Sequence, residues 1–335
     1  MSNLSDQHNI ILSLAPFQGI TDHIYRQVFQ THFDGIDKMY TPFFTAVHKA
    51  NSKSLQGPEI DPKLNNLRQL VPQILTNDAT ELFHFSEHCA NLGYQEININ
   101  LGCPYPRVAK KQRGSGLLPY AERVDALLEQ HFTTSLLPTG IKSRLGYENE
   151  TEIEALIKVF NRYPLSELII HARTGKQLYK GQVLLDSFAA ALGNLNINPG
   201  YNGDIFNSAE FNDRKTRFPA VNHFMLGRGI LSDPFLASDI RNIPQAADRK
   251  MLAYQFIMAL YEQRKAFTNN NPAIIGRMKE LWSYLLFSFD EPQVIWRKIK
   301  KTNSFIDYED VVQQIFDSHQ WIGQGFPIDK AIIDL

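Results

Sequence analysis

Short apolar runs separated by longer amphipathic stretches set the rhythm of this chain. Runs at Ile10–Leu14, Gly35–Tyr40, Leu70–Leu75, Glu96–Ile99, Thr139–Ser143, Glu167–His171, Ile197–Tyr201 and His223–Leu226 have strand length and predict eight β-strands. Amphipathic segments lie between most of them. Ala79–Leu92 puts Leu82, Phe85, Cys89 and Leu92 on one helical face, and Glu150–Tyr163 does the same with Ile153, Leu156, Ile157 and Phe160. Eight strands alternating with helices predict an α/β fold, a parallel (β/α)8 TIM barrel. A doubly wound open sheet is the alternative. The count of eight, and the lack of a Gly-rich dinucleotide turn after the first strand, argue against it.

Near Ile243 the strand-length runs stop. The remaining periodicity predicts helices over Met251–Phe267, Pro272–Phe287, Pro292–Lys301 and Tyr308–Phe316, with a break at Thr268–Asn271 ahead of Pro272. The expected organisation is a barrel over residues 1–243 and an all-helical domain over residues 244–335.

At 335 residues the chain is long enough for both. No segment approaches the roughly 18 consecutive apolar residues of a membrane helix. The polar stretch Met1–Asn9 lacks a signal-peptide core. Only two cysteines occur, Cys89 and Cys103, too few for a disulfide framework. Together these point to a reducing cytoplasm and no membrane partner. A net charge of −1 excludes a globally basic nucleic-acid binder but not a local one. Between Arg249 and Lys301 ten Lys/Arg face four Asp/Glu. Taken alone, such a run is more often a set of solvated helix faces than a binding surface.

The chemistry gathers at predicted strand ends, where barrels of this type carry their sites. Cys103 stands in Asn100-Leu101-Gly102-Cys103-Pro104, at a turn, with Lys110, Lys111 and Gly114-Ser115-Gly116-Leu117-Leu118 behind it. A thiol of ordinary pKa about 8.5 is protonated near neutrality and suits a proton donor. A small core residue is the other reading, and Cys89, on an apolar helical face, fits that reading. Lys142 and His171 are expected to point from adjacent strands into one cavity. A lysine there either stabilises an anionic reduced flavin ring or pairs with a buried carboxylate. The last two loops, with Gly203, Gly227, Arg228 and Gly229, offer backbone N–H groups and charge for a phosphate, or are simply tight turns. No metal is expected.

Taken together, these segments resemble the tRNA-dihydrouridine synthase family across nearly the whole chain. The resemblance rests on Ala15-Pro16-Phe17-Gln18-Gly19-Ile20-Thr21-Asp22, Gln73, Asn100–Pro104 with Lys110, Lys111 and Gly114–Leu118, Lys142-Ser143-Arg144, His171-Ala172-Arg173-Thr174, Asn202–Ile205 and Gly227–Gly229. Arg277–Tyr284 is similar to the opening of the helical domain in the bacterial C-type subgroup. The resemblance implies reduction of specific tRNA uridines to 5,6-dihydrouridine by an FMN enzyme using NADPH. The base would be flipped out of the folded tRNA, and Cys103 would donate the proton. It implies that Ala15, Pro16, Phe17, Gln73, Lys142, His171, Asn202, Gly203, Asp204, Gly227 and Arg228 bind the cofactor. Asn100, Arg144, Arg173, Lys110 and Lys111 would bind substrate, and the helical domain would hold tRNA in a monomeric protein. Phe17 stands where the family usually has Met, Pro42 where an acid is common, and Thr76 where Gly is usual. Asn222-His223-Phe224 replaces the usual Asp-Gly-Val, and Pro106 follows the cysteine motif. Two rival classes remain. One is a flavin barrel acting on a small molecule, such as a dihydroorotate-dehydrogenase-like oxidoreductase. The other is a non-catalytic RNA-binding barrel.

Overall fold

A strand buried on both faces must put its alternate side chains to two different uses, and the computed structural model shows both. It describes residues 10–49, 52–244, 248–323 and 325–326; the polar stretch Met1–Asn9 lies outside them. The parallel strands are β1 (Ile11–Leu14), β2 (Lys38–Tyr40), β3 (Leu70–Val71), β4 (Gln73–Ile74), β5 (Ile97–Leu101), β6 (Thr139–Gly146), β7 (Glu167–Thr174), β8 (Gly200–Asn202) and β9 (His223–Leu226). They form one sheet in the order β3-β2-β1-β9-β8-β7-β6-β5-β4. The single predicted run Leu70–Leu75 is two strands because Pro72 has no N–H to give the ladder. β3 pairs with β2 and β4 with β5, so this one interrupted run joins the two ends of the sheet into a nearly closed (β/α)8 barrel.

Helices α1 (His23–His32), α2 (Ala79–Asn91), α3 (Pro106–Ala109), α4 (Ala121–Thr134), α5 (Ile153–Phe160), α6 (Leu185–Leu192), α7 (Ser208–Arg217), α8 (Arg228–Ser232) and α9 (Leu236–Ile240) follow or separate the strands. α2 starts where predicted because the Asp78 carboxylate accepts from the N–H groups of Thr80 and Glu81. The predicted helix at Glu150 begins as a 3-10 turn, with Asn149 and Glu152 forming a capping box. Pro106 takes the first position of α3, where its missing N–H costs nothing. β6 and β7 run three residues past their predicted ends. Leu145 in β6 and Ala172 in β7 continue the buried apolar alternation there.

The chain divides into two compact units. The first comprises the segment ending at Pro16, Asp37–Gly203 and Lys215–Met225. The second comprises Phe17–Ile36, Asp204–Arg214 and Leu226 onward. In the second unit lie α10 (Arg249–Phe267), α11 (Ile274–Leu285), α12 (Pro292–Ile299) and α13 (Phe305–Ser318). α13 begins three residues before its predicted start because the Ser304 hydroxyl accepts from Asp307 N–H. Buried Trp282 anchors this bundle, donating its indole N–H to Tyr308 Oη at 3.0 Å. Among the described residues no helix is long and apolar enough to cross a membrane.

Inside the first unit the N-terminal ends of the strands carry a polar floor. The Glu167 carboxylate accepts from Tyr40 Oη at 2.5 Å and lies 3.1 Å from His223 Nδ1 and 3.5 Å from Lys38 Nζ; Lys38 also reaches Glu96 at 2.6 Å. His223 Nε2 lies 2.7 Å from Ser13 Oγ. His223 is the residue standing where the resembled family has Gly, and this is the use it finds. The Ser13–His223–Glu167 chain has the connectivity of a hydrolytic triad, but Ser13 has no accessible surface, so no substrate reaches it. Burial works against the Glu167 charge, but His223, Lys38 and Tyr40 leave its carboxyl below the ordinary value. Its stabilising contribution is therefore complete above the ordinary carboxylate range and is lost as pH falls through the depressed folded value. Glu167→Gln is expected to cost about 2 kcal/mol at neutral pH, with the difference from the parent closing in acid. Urea unfolding at both pH values checks this, and a constant difference contradicts it.

Candidate active site

Polar side chains of β4 to β6 are linked by hydrogen bonds to the turn that carries Cys103, and those of β7 and β8 line the same interior by register. In β5, Ile97, Ile99 and Leu101 are fully buried on one face, so Asn98 and Asn100 take the other. The register pairs Gln73 with Asn98, Asn100 with Lys142, Arg144 with His171, and His171 with Asn202. Partners across a parallel ladder share a face, so these polar side chains line one interior.

Asn100 fixes the cysteine loop. Its Oδ1 accepts the backbone N–H of Gly102 at 3.1 Å and of Cys103 at 2.9 Å, and its Nδ2 donates to Gln73 Oε1 at 2.7 Å. Gln73 Nε2 then donates to Asn98 Oδ1 at 2.9 Å, which sets the direction of the whole amide chain. From behind, Ser115 donates both N–H and Oγ–H to the Cys103 carbonyl, each at 3.0 Å. Gly114 sits at φ +57°, and a Cβ there would come within 2.7 Å of that carbonyl, so no other residue fits. Cys103 is 7% exposed, against 0% for Cys89; both are free thiols. Burial raises the Cys103 pKa, opposed by the Tyr105 N–H and the Arg144 and Lys142 charges, and the thiol stays protonated at neutrality.

Lys142 is the charged centre of the interior. Its Nζ donates to Asn202 Oδ1 at 3.1 Å, and Asn202 is oriented for this because its Nδ2 donates to the Met225 carbonyl at 2.8 Å. The partner is a neutral amide, not the carboxylate that a structural buried lysine would require. Burial first, and the Arg144 charge second, lower the Lys142 pKa to about 7; the Cys103 thiol opposes them. Arg144 donates Nε to the Gly102 carbonyl at 2.9 Å and Nη1 to the carbonyls of Thr174 and Leu178, each at 2.7 Å. It thereby joins the cysteine turn to the loop after β7. Arg173 donates Nη2 to the Gly181 carbonyl at 2.7 Å, and its Nη1 lies 3.3 Å from His171 Nε2. A guanidinium only donates, so that imidazole nitrogen is the acceptor. Lys110 and Lys111 are exposed on the segment behind Cys103. Ala15 and Pro16 close β1, and Gly203 follows β8.

Phe17, Asp204, Gly227 and Arg228 belong to the second unit. There Arg228 donates to Asp204 Oδ1 at 2.6 Å and lies over the rings of Phe206 and Phe326 at 5.6 and 5.1 Å. Gly229 presses on the Ile205 carbonyl, which a Cβ would strike. Phe17 meets Tyr284 edge-to-face at 5.9 Å. Much of the basic surplus of the helical segments is used internally. Arg264 is buried on the Ile20 carbonyl and Asp22, Arg249 pairs with Asp239, Lys265 with Glu309, and Lys279 donates to the carbonyls of Lys300 and Thr302. Of the rest, Arg277 is exposed and lies 3.7 Å from Glu280, while Lys250 and the group Arg297, Lys298, Lys300 and Lys301 at the end of α12 are exposed or half-exposed.

Sequence reasoning passed over several residues that the structure adds. Tyr179 is 40% exposed, with Arg144 5.4 Å from its ring centre and His171 6.1 Å away. Its signal was weak because nothing in the sequence ties a loop tyrosine to a strand arginine 35 positions earlier. Asn98, which accepts from Gln73, and Arg113, which holds Asn77 and Glu81, are the others. Asn98 alone had a readable sign, the two-residue alternation with Asn100.

The family profile described as "Dihydrouridine synthase (Dus)" matches residues 13–332. A tRNA-dihydrouridine(16) synthase of Neisseria meningitidis serogroup A is 25% identical over 298 residues, covering 86% of this chain and 89% of that protein. A tRNA-dihydrouridine(16) synthase of Pseudomonas putida is 25% identical over 304 residues, covering 87% and 92%. The tRNA-dihydrouridine synthase B of Pasteurella multocida is 28% identical over 226 residues, covering 67% and 66%.

A lysine whose folded pKa lies near 7, against 10.5 when free, makes folding least favourable below the lower value, and the penalty fades as pH rises between the two. Lys142→Met is therefore expected to stabilise the ligand-free protein by about 1–3 kcal/mol at and below neutrality, with the gain shrinking in alkali. Thermal unfolding of the ligand-free proteins across that range checks the sign; a destabilised variant contradicts it.

Proposed function

We propose, from the premise that the chain belongs to the dihydrouridine synthase family, that it reduces uridine to 5,6-dihydrouridine in tRNA, with a bound FMN, NADPH as reductant and Cys103 as proton donor. The observation that carries this reading is the protonated, loop-held Cys103 thiol in the same interior as a half-buried lysine whose hydrogen-bond partner is an amide.

That lysine is also the test of whether a flavin fits. A half-buried amine whose partner is a neutral amide is electrostatically incomplete, and an anionic ring beside it restores the charge balance. His171, Gln73 and Asn202 add polar groups suited to a ring edge and ribityl hydroxyls. Ala15, Pro16 and Gly203 are assigned to the rest of the cofactor; for Phe17, Asp204, Gly227 and Arg228, in the second unit, the assignment rests on the family resemblance alone. When bound, the flavin supplies the hydride that saturates the uracil C5–C6 double bond, after taking it from the nicotinamide. The protein does the remaining work. Asn100, Arg144 and Arg173 orient the base, and Tyr105 and Tyr179 expose aromatic faces on which a flipped base can stack. Cys103 delivers its proton to C5. Burial keeps the thiol protonated before the step, while the Lys142 and Arg144 charges favour the thiolate left after it. Lys110 and Lys111 meet the tRNA backbone, and the helical segments from residue 244 onward hold the folded RNA in the cytoplasm.

Cys103→Ala is expected to retain flavin and tRNA but to lose about 10²-fold or more in turnover, read by mass spectrometry of dihydrouridine. Parental turnover in that variant refutes the proton-donor role. Gel shifts with bulk tRNA over a salt series test the RNA reading. Neutralising Arg297, Lys298, Lys300 and Lys301 together is expected to flatten the log–log salt slope by up to about 3. Salt-insensitive binding, or none, favours a small-molecule oxidoreductase.

A further inference from the structure

The segment behind Cys103 is itself held by a clamp that the reaction does not touch. Glu81, in the first turn of α2, is 3% exposed. A carboxylate so buried requires partners. It accepts from Thr76 Oγ1 at 2.5 Å and forms an ion pair with Arg113 at 3.4 Å; a largely exposed His48 lies at 3.4 Å. The Arg113 fork has a second arm, Nε donating to Asn77 Oδ1 at 3.0 Å. Asn77 returns the contact, its Nδ2 donating to the carbonyls of Gln112 at 3.1 Å and Lys111 at 3.3 Å. The β4–α2 loop and the 111–113 segment are thus tied in both directions. Thr76, standing where the resembled family has Gly, is a member of this clamp.

Arg113 immediately precedes Gly114 and Ser115, the two residues seated against the Cys103 carbonyl. Gln112 before it is held at φ +52°, a conformation that a non-glycine residue keeps only when its surroundings impose it. A lysine at 113 would supply the charge but not the two-armed fork.

We propose that Arg113, through Asn77 and Glu81, is a positioning residue for the Cys103 thiol. It fixes the backbone of residues 111–115 and, through Gly114 and Ser115, the depth and direction of the cysteine turn. This rests on the reading of Cys103 as the proton donor, but the geometric half of it does not.

The test uses the full-length, flavin-loaded protein and the variants Arg113→Ala, Arg113→Lys and Asn77→Ala. Three rates are read: flavin reduction by NADPH without tRNA, reoxidation of the reduced flavin by saturating tRNA in a single anaerobic turnover, and alkylation of Cys103 by iodoacetamide located by mass. For Arg113→Ala the first rate is expected to stay at the parental value, while the second falls about 10-fold or more, as for an ångström-scale misplacement of a reacting group. Alkylation rises several-fold as the turn loosens. Arg113→Lys reverses part of both changes, the slowed reoxidation and the faster alkylation, which a general packing defect does not predict. If Arg113→Ala loses its flavin, Asn77→Ala removes only the neutral arm of the clamp and carries the same expectation on a smaller scale. Parental reoxidation together with parental alkylation in a folded variant overturns the proposal. Altered alkylation with a parental Cys103→Ala turnover leaves the positioning intact and overturns the proton-donor reading instead.

Discussion

Every polar side chain turned into the barrel must find its partner there, because the opposite faces of the same strands are committed to apolar packing. This constraint organises the protein. At the N-terminal ends of the strands it is met internally: Glu167, Lys38, Glu96, Tyr40, His223 and Ser13 satisfy one another. At the C-terminal ends it is met only in part. Asn98, Gln73 and Asn100 form a directed amide chain, yet Lys142 is left with an amide where a charge is needed. A closed floor and an electrostatically unfinished mouth, built from the same strands, are the arrangement of a binding site at one end of a stable scaffold.

The cysteine gains its character from the way its turn is held rather than from any strong neighbour. Its amide is capped by Asn100, its carbonyl by Ser115, and the preceding carbonyl by Arg144. These bonds leave the thiol little freedom and little exposure. They explain how a group that burial keeps protonated can stand beside two cations without becoming a thiolate. The same logic separates it from Cys89, where burial acts without opposition on a helical face.

The departures from the resembled family fit the fold without loss. His223 joins the floor, Thr76 joins the clamp on Glu81, Phe17 packs on Tyr284, and Pro106 opens a short helix. His223, Thr76 and Phe17 each find a local partner, and Pro106 suits the first position of its helix; nothing in the structure explains Pro42 or Asn222.

The sequence by itself determined the barrel, the order of its elements and the cysteine motif. Strand-length apolar runs, helical periodicity and turn chemistry are local properties of the chain, and backbone geometry converts them directly into elements. It also singled out Gln73, Asn100, Lys142, Arg144, His171, Arg173 and Asn202, because polar residues at apolar strand ends stand out. Only the tertiary structure decided that Pro72 divides one strand into the two ends of the ring. It alone decided that Lys142 faces an amide rather than a carboxylate, that Arg264 is held by the Ile20 carbonyl and Asp22, and that Lys279 is held by the carbonyls of Lys300 and Thr302. Those outcomes depend on which side chains meet across tens or hundreds of intervening residues. Charge and spacing along a chain carry no record of that meeting, since a cation reads the same in sequence whether it faces water, a carbonyl or a ligand.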